Sequence, residues 1–227
     1  MAEIEMKDIY KMRARAEVDE LGLRERHKID KFERICSAAL QLFSRGGYDR
    51  TTLREIAAEA GVALGTLSLY ARDKRDLIFL IFNKVMPPLL EQGRRNVEPK
   101  KLLVDNMVAF FEPIYLAFSR NITLYRVLLG QIYNGPPTVH VKENNAMRAR
   151  LAEHIVAIIL HAQRSGECSA EGDVNLLADS FYYLHFAWVR IWLSKDKPKV
   201  EEGLSKLRAL FEQHVKGMRN PGKNKKG

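Results

Sequence analysis

Apolar side chains recur at intervals of three and four positions along most of the chain, which is the spacing of an amphipathic α-helix. The first clear segment runs from about residue 28 to 45 and ends at Gly46-Gly47. Strand-like alternation is weak, and Val, Ile and Thr do not cluster. The pattern therefore predicts an all-α protein. The stripe of this first helix consists of Ile35, Ala38, Ala39, Leu42 and Phe43.

Beyond Asp73 the same spacing predicts six more helices. Asp73 is placed to cap the first of them, and Pro87-Pro88 is expected to interrupt it, either as a hinge or as a static bend. Gly135-Pro136-Pro137 is the clearest loop. The segment 173–195 is apolar on nearly all sides, which predicts burial from all sides. The last predicted helix covers about 199–217.

The segment 51–74, TTLREIAAEAGVALGTLSLYARDK, predicts two short helices joined by a tight turn. Thr52 and Glu55 have the spacing of a capping box, in which each side chain bonds the other residue's backbone N–H. Gly61 stands where a left-handed helix C-cap needs a residue without Cβ. The second helix is expected to run for about seven residues from near Ala63.

Three positions in this segment have the spacing of a helix-turn-helix. Ala57 is small enough to let the second helix approach, Gly61 makes the turn, and Leu67 pins the second helix to the first. Such a pair presents its second helix to the major groove of DNA. The segment therefore predicts DNA recognition.

The chain resembles the TetR family of bacterial transcriptional regulators over roughly residues 33 to 80. It departs from the family pattern at Ser68, where a Tyr commonly touches a phosphate, and at Ala71, where a Phe packs beneath the next helix. Tyr70 can take over part of the missing tyrosine's role. Outside the helix-turn-helix, the resemblance rests on Ile35-Cys36-Ser37-Ala38-Ala39-Leu40, Leu42-Phe43, Gly46-Gly47-Tyr48 and Lys74-Arg75-Asp76-Leu77.

The predicted DNA contacts combine apolar, hydroxyl and basic side chains. Leu64 and Leu69 suit thymine methyl groups, and Gly65 allows close approach. Arg54 is expected to contact guanine or a phosphate, the alternative being a solvated arginine. Thr52 is either a phosphate contact or only a helix cap. The full predicted set is Thr52, Arg54, Ala63, Leu64, Gly65, Thr66, Ser68, Leu69, Tyr70 and Lys74.

The resemblance implies an N-terminal three-helix helix-turn-helix domain followed by a larger C-terminal helical domain for ligand binding and dimerisation. The predicted boundaries are 28–75 for the first domain and 76–217 for the second, with a basic tail at 218–227. Residues 1–27 are expected to form a flexible arm. Its basic end can reach the minor groove, or the start of the chain is simply disordered.

In the family the last two helices pack on their symmetry mates as a four-helix bundle. A two-fold homodimer spaces its recognition helices about 34–36 Å apart and implies a palindromic operator in double-stranded DNA. An intrachain core is the alternative for part of this surface. The predicted interface residues are Trp188, Trp192, Leu204, Leu207 and Phe211.

The C-terminal domain is rich in aromatic residues, which suits an apolar ligand pocket as well as ordinary core packing. Regulators of this family are typically released from DNA when a small molecule binds this domain. A hydrophobic effector is therefore expected. The candidate pocket residues are Phe82, Met107, Phe111, Tyr115, Tyr125, Tyr133, Phe181 and His185.

Composition narrows the class of protein further. The net charge of +9 favours polyanionic partners, although part of it lies in the C-terminal tail. Cys36 and Cys168 lie far apart with no C-x-x-C, which favours a reducing compartment, and a cytoplasmic location is expected. No signal peptide and no apolar run of membrane-spanning length are found.

Catalytic signatures are missing from the sequence: it has no H-E-x-x-H, G-x-S-x-G, Walker A or Rossmann pattern. His154 and His161 stand two helical turns apart, too far to share a metal easily. No enzyme, metal or cofactor is therefore expected. The leading hypothesis is a homodimeric, ligand-released repressor. The alternatives are a regulator that activates or has lost its effector, and a helical carrier or sensor of lipophilic molecules whose helix-turn-helix is vestigial.

Overall fold

The computed structural model describes residues 22–132, 138–168 and 173–216. Within these ranges every regular element is a helix, as the apolar spacing predicted. Each of these helices is too short or too polar to traverse a lipid bilayer. In chain order the helices are α1 Leu23–Gly46, α2 Leu53–Glu59, α3 Leu64–Ser68, α4 Lys74–Arg95, α5 Leu103–Arg120, α6 Ile122–Gln131, α7 Val139–Arg164, α8 Val174–Ser194 and α9 Val200–Lys216.

The described chain forms two compact units. Of the described residues, the first unit contains 22–88, 120–132 and 138–144, and the second contains 89–119, 145–168 and 173–216. The predicted domain boundary at 75 does not coincide with this division. The start of α4 belongs to the first unit because its Leu77, Ile78 and Ile81 side chains are fully buried there.

In the first unit α1, α2 and α3 form the helix-turn-helix domain around a small apolar core. Ile35, Phe43, Ile56 and Leu67 are buried almost completely. Helix α1 begins at Leu23 rather than near residue 28, so residues 23–27 are helical and not part of an arm. The periodicity did not predict this start because residues 23–28 carry no apolar stripe, and Leu23, Arg26, His27 and Lys28 are exposed. Residues 1–21 and the tail at 218–227 lie outside the described residues.

The turn between α2 and α3 has the geometry that the sequence predicted. Gly61 adopts a positive φ of 63°. Its N–H donates to the Ala58 carbonyl at 3.1 Å, and the Val62 N–H donates to the Ala57 carbonyl at 2.9 Å. This pair of bonds satisfies the last carbonyls of α2. Helix α3 is shorter than expected, since only residues 64–68 are helical.

Helix α4 starts at the predicted cap and does not stop at its prolines. The Asp73 Oδ1 atom accepts from the Asp76 N–H at 2.8 Å, which confirms Asp73 as the cap. Pro87 and Pro88 lie inside a helix that continues to Arg95, so the expected interruption is wrong. The two prolines remove two amide donors without ending the helix. Whether they form a hinge stays a prediction.

The second unit is built on the packing of α9 against α8 and on an aromatic core. The indole N–H of Trp188 donates to the Gly203 carbonyl at 2.7 Å, and that of Trp192 donates to the Lys199 carbonyl at 2.8 Å. Both bonds tie the end of α8 to the start of α9. The Phe181 and Phe211 rings meet edge to face at 5.0 Å.

Three of the five predicted interface residues belong to this intrachain core. Trp192, Leu207 and Phe211 have no exposed surface in a single chain, so they are unavailable to a partner, and this part of the prediction is corrected. Trp188 is 9% exposed, and Leu204 is half-buried. Periodicity alone could not show what covers these faces of α8 and α9. In the structure α5 packs on them, and the Tyr115 ring lies 4.8 Å from the Trp192 ring.

Candidate DNA interface and effector site

The N-terminus of α2 is closed by a complete capping box. The Thr52 hydroxyl accepts from the Glu55 N–H at 3.2 Å and donates to its carboxylate at 2.9 Å. The Thr52 N–H donates to the same carboxylate at 2.7 Å. These bonds from Thr52 lower the pKa of Glu55 below its ordinary value. Thr52 therefore acts as a cap, and a phosphate contact from its hydroxyl would have to displace one of these bonds.

The solvent face of α3 is small and apolar. Leu69, just after the helix, is 86% exposed, the largest fraction of any large apolar side chain in the described ranges. Leu64 is 40% exposed, and Ala63 and Ser68 are exposed as well. Thr66 is half-buried. The described residues of the first unit leave both leucines exposed, and therefore accessible to thymine methyl groups.

Gly65 has no internal reason to be a glycine. A Cβ added there would meet no described atom within 4 Å, and its φ is not positive. A glycine in a helix costs about 1 kcal/mol relative to alanine. Its presence on the exposed face suits a backbone that approaches an outside surface closely.

The hydroxyl groups of Ser68 and Tyr70 both donate inside the protein. The Ser68 hydroxyl donates to the Leu64 carbonyl at 3.0 Å. The Tyr70 hydroxyl donates to the Lys28 carbonyl on α1 at 3.1 Å, and its ring lies 6.2 Å from the Phe32 ring. A phosphate oxygen needs a donor, so either contact would require one of these bonds to break. In this structure Tyr70 holds the end of α3 to α1.

The two predicted basic contacts are placed differently. The Lys74 ammonium donates to the carbonyls of Tyr48 at 2.7 Å and Asp49 at 2.9 Å, which leaves one of its three hydrogens for a phosphate. The Arg54 guanidinium is exposed and has no partner among the described residues. Arg54 is therefore the basic group in the predicted set whose donors all remain available.

Arg34 holds the helix-turn-helix together, a role that the sequence did not predict. Its guanidinium donates to the Ala60 carbonyl at the end of α2 at 3.2 Å and pairs with Asp30 at 3.2 Å. It thus fixes α2 on α1. No sequence signal reveals this role, because Arg34 and Ala60 are brought together only by the fold.

The predicted pocket residues are divided between the two units. In the second unit Met107, Phe111, Tyr115, Phe181 and His185 are all buried, and the Phe111 and His185 rings stack at 4.0 Å. In the first unit the Phe82 ring lies 6.3 Å from the Tyr125 ring. Tyr133 lies outside the described residues.

Three buried polar side-chain atoms in the second unit have no hydrogen-bond partner among the described residues: Tyr115 Oη, His185 Nδ1 and Arg148 Nε. The Tyr115 and His185 rings meet at 5.6 Å. Burial lowers the pKa of His185 to about 3 and raises that of Tyr115, so both groups are neutral near pH 7. Buried polar groups almost always have a partner. This pair therefore marks a place where a polar group of a ligand, or a water molecule, would be stabilised.

One face of α8 remains exposed, contrary to the expectation of burial from all sides. Leu176 is 68% exposed, Tyr183 52% and Ile191 56%. The small Ala187 lies between the last two, and all four share one helical face by their spacing. The spacing of these four residues is visible in the sequence, but apolar residues on the other faces of α8 made it impossible to tell which face is exposed.

The comparisons with known proteins agree with this arrangement. Residues 35–81 match the family model described as bacterial regulatory proteins, tetR family. The Fatty acid metabolism regulator protein of Bacillus subtilis is 23% identical over 195 residues, which is 86% of this chain and 99% of that protein.

Two solved structures share the fold. The FadR transcriptional regulator of Bacillus subtilis, in complex with stearoyl-CoA, superposes with a TM-score of 0.68 at 20% identity, over 83% of this chain and 100% of that one. Thermus thermophilus FadR, a TetR family repressor in complex with lauroyl-CoA, gives 0.61 at 23% identity, over 80% and 93%. The matched segment contains the whole helix-turn-helix described above. Residues 35–81 therefore match the TetR family of bacterial regulatory proteins, and the described fold is that of the two FadR regulators.

Proposed function

We propose that this protein binds a palindromic DNA operator as a homodimer, represses transcription there, and is released by a hydrophobic small molecule. The observation that carries the proposal is the exposed surface of α3, held by a complete capping box, the Gly61 turn and the buried Leu67. As a DNA-bound bacterial regulator it acts in the cytoplasm and performs no catalysis.

Selection of bound duplexes from a random pool tests DNA recognition directly. We expect a palindromic site, bound with an affinity that falls steeply as salt rises, because neutralised phosphates release counterions. Failure to enrich any site from protein freed of bound small molecules would contradict the proposal.

Replacing Arg54 with alanine should weaken binding to the selected site by about 10-fold or more, since a specific contact to a base is worth about 1–3 kcal/mol. The measurement is a titration of labelled operator at fixed salt. If Arg54 contacts guanine, the loss of affinity depends on the base at that position. If it binds a phosphate, the affinity for all sequences falls alike, and the slope of log affinity against log salt concentration (the salt slope) becomes smaller by about 1.

Arg164→Ala is the matched control, because Arg164 is an exposed arginine at the end of α7 in the second unit. Unchanged affinity in Arg54→Ala would leave Arg54 as a solvated surface residue and remove it from the proposed contact set.

A homodimer is proposed through the exposed face of α8. Leu176, Tyr183 and Ile191 lie along one face of α8, about two helical turns apart, and are exposed in a single chain. Large apolar side chains exposed along one face of a helix suit an interaction site. A two-fold pairing of this face would provide the two recognition helices that a palindrome requires.

The proposed effector has a long apolar part and at least one polar group. Stearoyl-CoA and lauroyl-CoA bound to the structurally similar regulators support an acyl thioester as the first candidate. The aromatic core of the second unit suits an apolar chain, and Tyr115 and His185 suit a polar group near it.

Addition of lauroyl-CoA or stearoyl-CoA to the operator complex should release the DNA. Free coenzyme A is the control for the nucleotide part of the ligand. Complexes that survive acyl chains of every tested length would contradict this class of effector.

The alternative function, a carrier or sensor of lipophilic molecules with a vestigial helix-turn-helix, has one observation in its favour. The Ser68 and Tyr70 hydroxyls donate inside the protein rather than outward. Under this alternative the protein would bind acyl ligands but select no DNA, so the duplex selection separates the two functions.

A further inference from the structure

We infer that His140 is a positioning residue for DNA binding, acting as a proton-dependent link between the start of α7 and the end of the recognition helix. The inference rests on the proposed DNA-binding function. It concerns only contacts within the first unit, formed by Tyr70, Asn83, His140 and Glu143, which we call the His140 clasp.

The imidazole of His140 lies between two hydrogen-bond acceptors. Its Nε2 atom is 2.9 Å from the Tyr70 carbonyl oxygen, and its Nδ1 atom is 2.9 Å from a carboxylate oxygen of Glu143. Neither partner can donate, so both nitrogens must carry hydrogen to make both bonds. Only the charged imidazolium carries both, and the geometry therefore selects the protonated form.

The charges around the ring favour the same form. The groups that face it are the Asp76 and Glu143 carboxylates, on α4 and α7, and the Tyr70 carbonyl, which does not titrate. Burial lowers the pKa of His140, but the hydrogen bonds to Glu143 and Tyr70 and the two carboxylate charges outweigh it, so that the pKa lies above its ordinary value of 6.5.

The Tyr70 carbonyl is a useful point to hold because Tyr70 closes the last turn of the recognition helix. Its N–H donates to the Leu67 carbonyl at 2.8 Å, and its hydroxyl donates to the Lys28 carbonyl at 3.1 Å. With His140 on its carbonyl, Tyr70 is fixed at three points. The orientation of α3, and thus of Leu64 and Leu69, depends on this residue.

The other side of the clasp anchors His140 itself. The Asn83 amide on α4 donates to the His140 carbonyl at 2.8 Å and to the Glu143 carboxylate at 3.3 Å. The His140 side chain is only 16% exposed. The ring is thus held from its own backbone, and a change in its protonation changes the contact to Tyr70 or to Glu143 rather than merely its hydration.

The sign of the pH effect follows from these contacts. Below the ordinary pKa both bonds are present. As pH rises through the raised pKa, one N–H remains for two acceptors, so one bond is lost and the clasp loosens. Operator affinity should therefore fall as pH rises from below the ordinary histidine pKa of 6.5 to well above it.

The test measures operator affinity of the full chain across this pH range at several salt concentrations. The operator affinity of the wild type should fall about five-fold or more as pH rises, which is the equivalent of one hydrogen bond. His140→Gln, which donates to Tyr70 but does not titrate, should show no such loss. Glu143→Gln, which removes a carboxylate without touching Tyr70, should move the midpoint to lower pH.

The matched control is His161→Gln, because His161 is also on α7 and its Nε2 atom also bonds a backbone carbonyl, that of Pro99, at 2.8 Å. The operator affinity of His161→Gln should fall with rising pH as that of the wild type does. Circular dichroism at each pH checks that every variant remains folded.

The salt slope separates positioning from direct contact with DNA. It should be the same for His140→Gln and wild type at pH 6. A slope smaller by about 1 would instead make His140 a phosphate contact and overturn the inference.

If the operator affinity of His140→Gln changes with pH as that of the wild type does, the proposed role of the His140 clasp is wrong, whereas the proposed DNA-binding function still holds. Wild-type protein with no operator affinity at any pH would overturn the proposed function and this role together.

Discussion

At the scale of single residues, the unusual feature is a pair of unpaired polar groups inside an aromatic core. Tyr115 Oη and His185 Nδ1 are buried without a hydrogen-bond partner in the described part of the chain, while Phe111 stacks on the His185 ring at 4.0 Å. An unsatisfied buried hydroxyl costs about 1–3 kcal/mol. A group retained at that cost without a structural partner is a candidate for ligand binding.

The substitution Tyr115→Phe tests whether the Tyr115 hydroxyl has a structural role or binds a ligand. Without ligand, the variant should be as stable as the wild type or more stable, by up to about 1 kcal/mol, because an unpaired group is removed. Its affinity for acyl-CoA should fall by about five-fold or more if the hydroxyl donates to the ligand.

Denaturant unfolding and ligand titration measure the two quantities. Tyr48→Phe is the control, since Tyr48 is half-buried in the first unit and lies outside the aromatic core of the second unit. A Tyr115→Phe protein that is destabilised and binds ligand normally would show that the hydroxyl has a structural partner instead.

At the scale of elements, two glycines four residues apart have opposite roles in the helix-turn-helix. Gly61 ends α2 with a φ of 63°, a conformation that costs a residue with a Cβ about 1–2 kcal/mol. Gly65 lies in α3 with ordinary helical geometry and open space around it. The turn requires its glycine for folding, whereas the helix does not.

Gly61→Ala should lower the free energy of unfolding by about 1–2 kcal/mol, and Gly65→Ala should raise it by up to about 1 kcal/mol. Gly65→Ala should nevertheless weaken operator binding, because the added methyl group would separate α3 from the groove. Thermal unfolding and operator titration of both variants provide the measurements, and each variant is the other's control.

Equal operator affinity in Gly65→Ala and wild type would mean that the backbone of α3 does not approach the DNA closely. A Gly65→Ala protein that is destabilised would show that the glycine serves the fold after all.

At the scale of the whole molecule, the proposed pairing of two chains through the exposed face of α8 would let two recognition helices act together. Ile191 lies near the end of that face and is 56% exposed. A charge in an apolar interface without a partner is costly, so one substitution there should be sufficient to separate two subunits.

Ile191→Glu should convert the homodimer into a monomer and weaken binding to the palindrome by about 100-fold or more, since the linked second site is lost. Sedimentation equilibrium and operator titration measure the two effects. Leu102→Glu is the control, because Leu102 is 60% exposed in the second unit but lies outside α8. A dimer that survives Ile191→Glu places the interface elsewhere.

The sequence by itself determined the helices and the recognition motif, because both depend on local chemistry. Apolar spacing predicted the all-α fold, Thr52 and Glu55 predicted the capping box, and Gly61 predicted the turn. These features involve residues a few positions apart, so they can be read directly from the order of side chains.

The tertiary structure decided what depends on residues far apart in the chain. It placed Trp192 and Phe211 in the core instead of at an interface, since α5 packs over them. It also brought His140 to Tyr70, 70 positions away. Burial and hydrogen-bond partners are properties of packed elements, and for that reason periodicity within one helix could not reveal them.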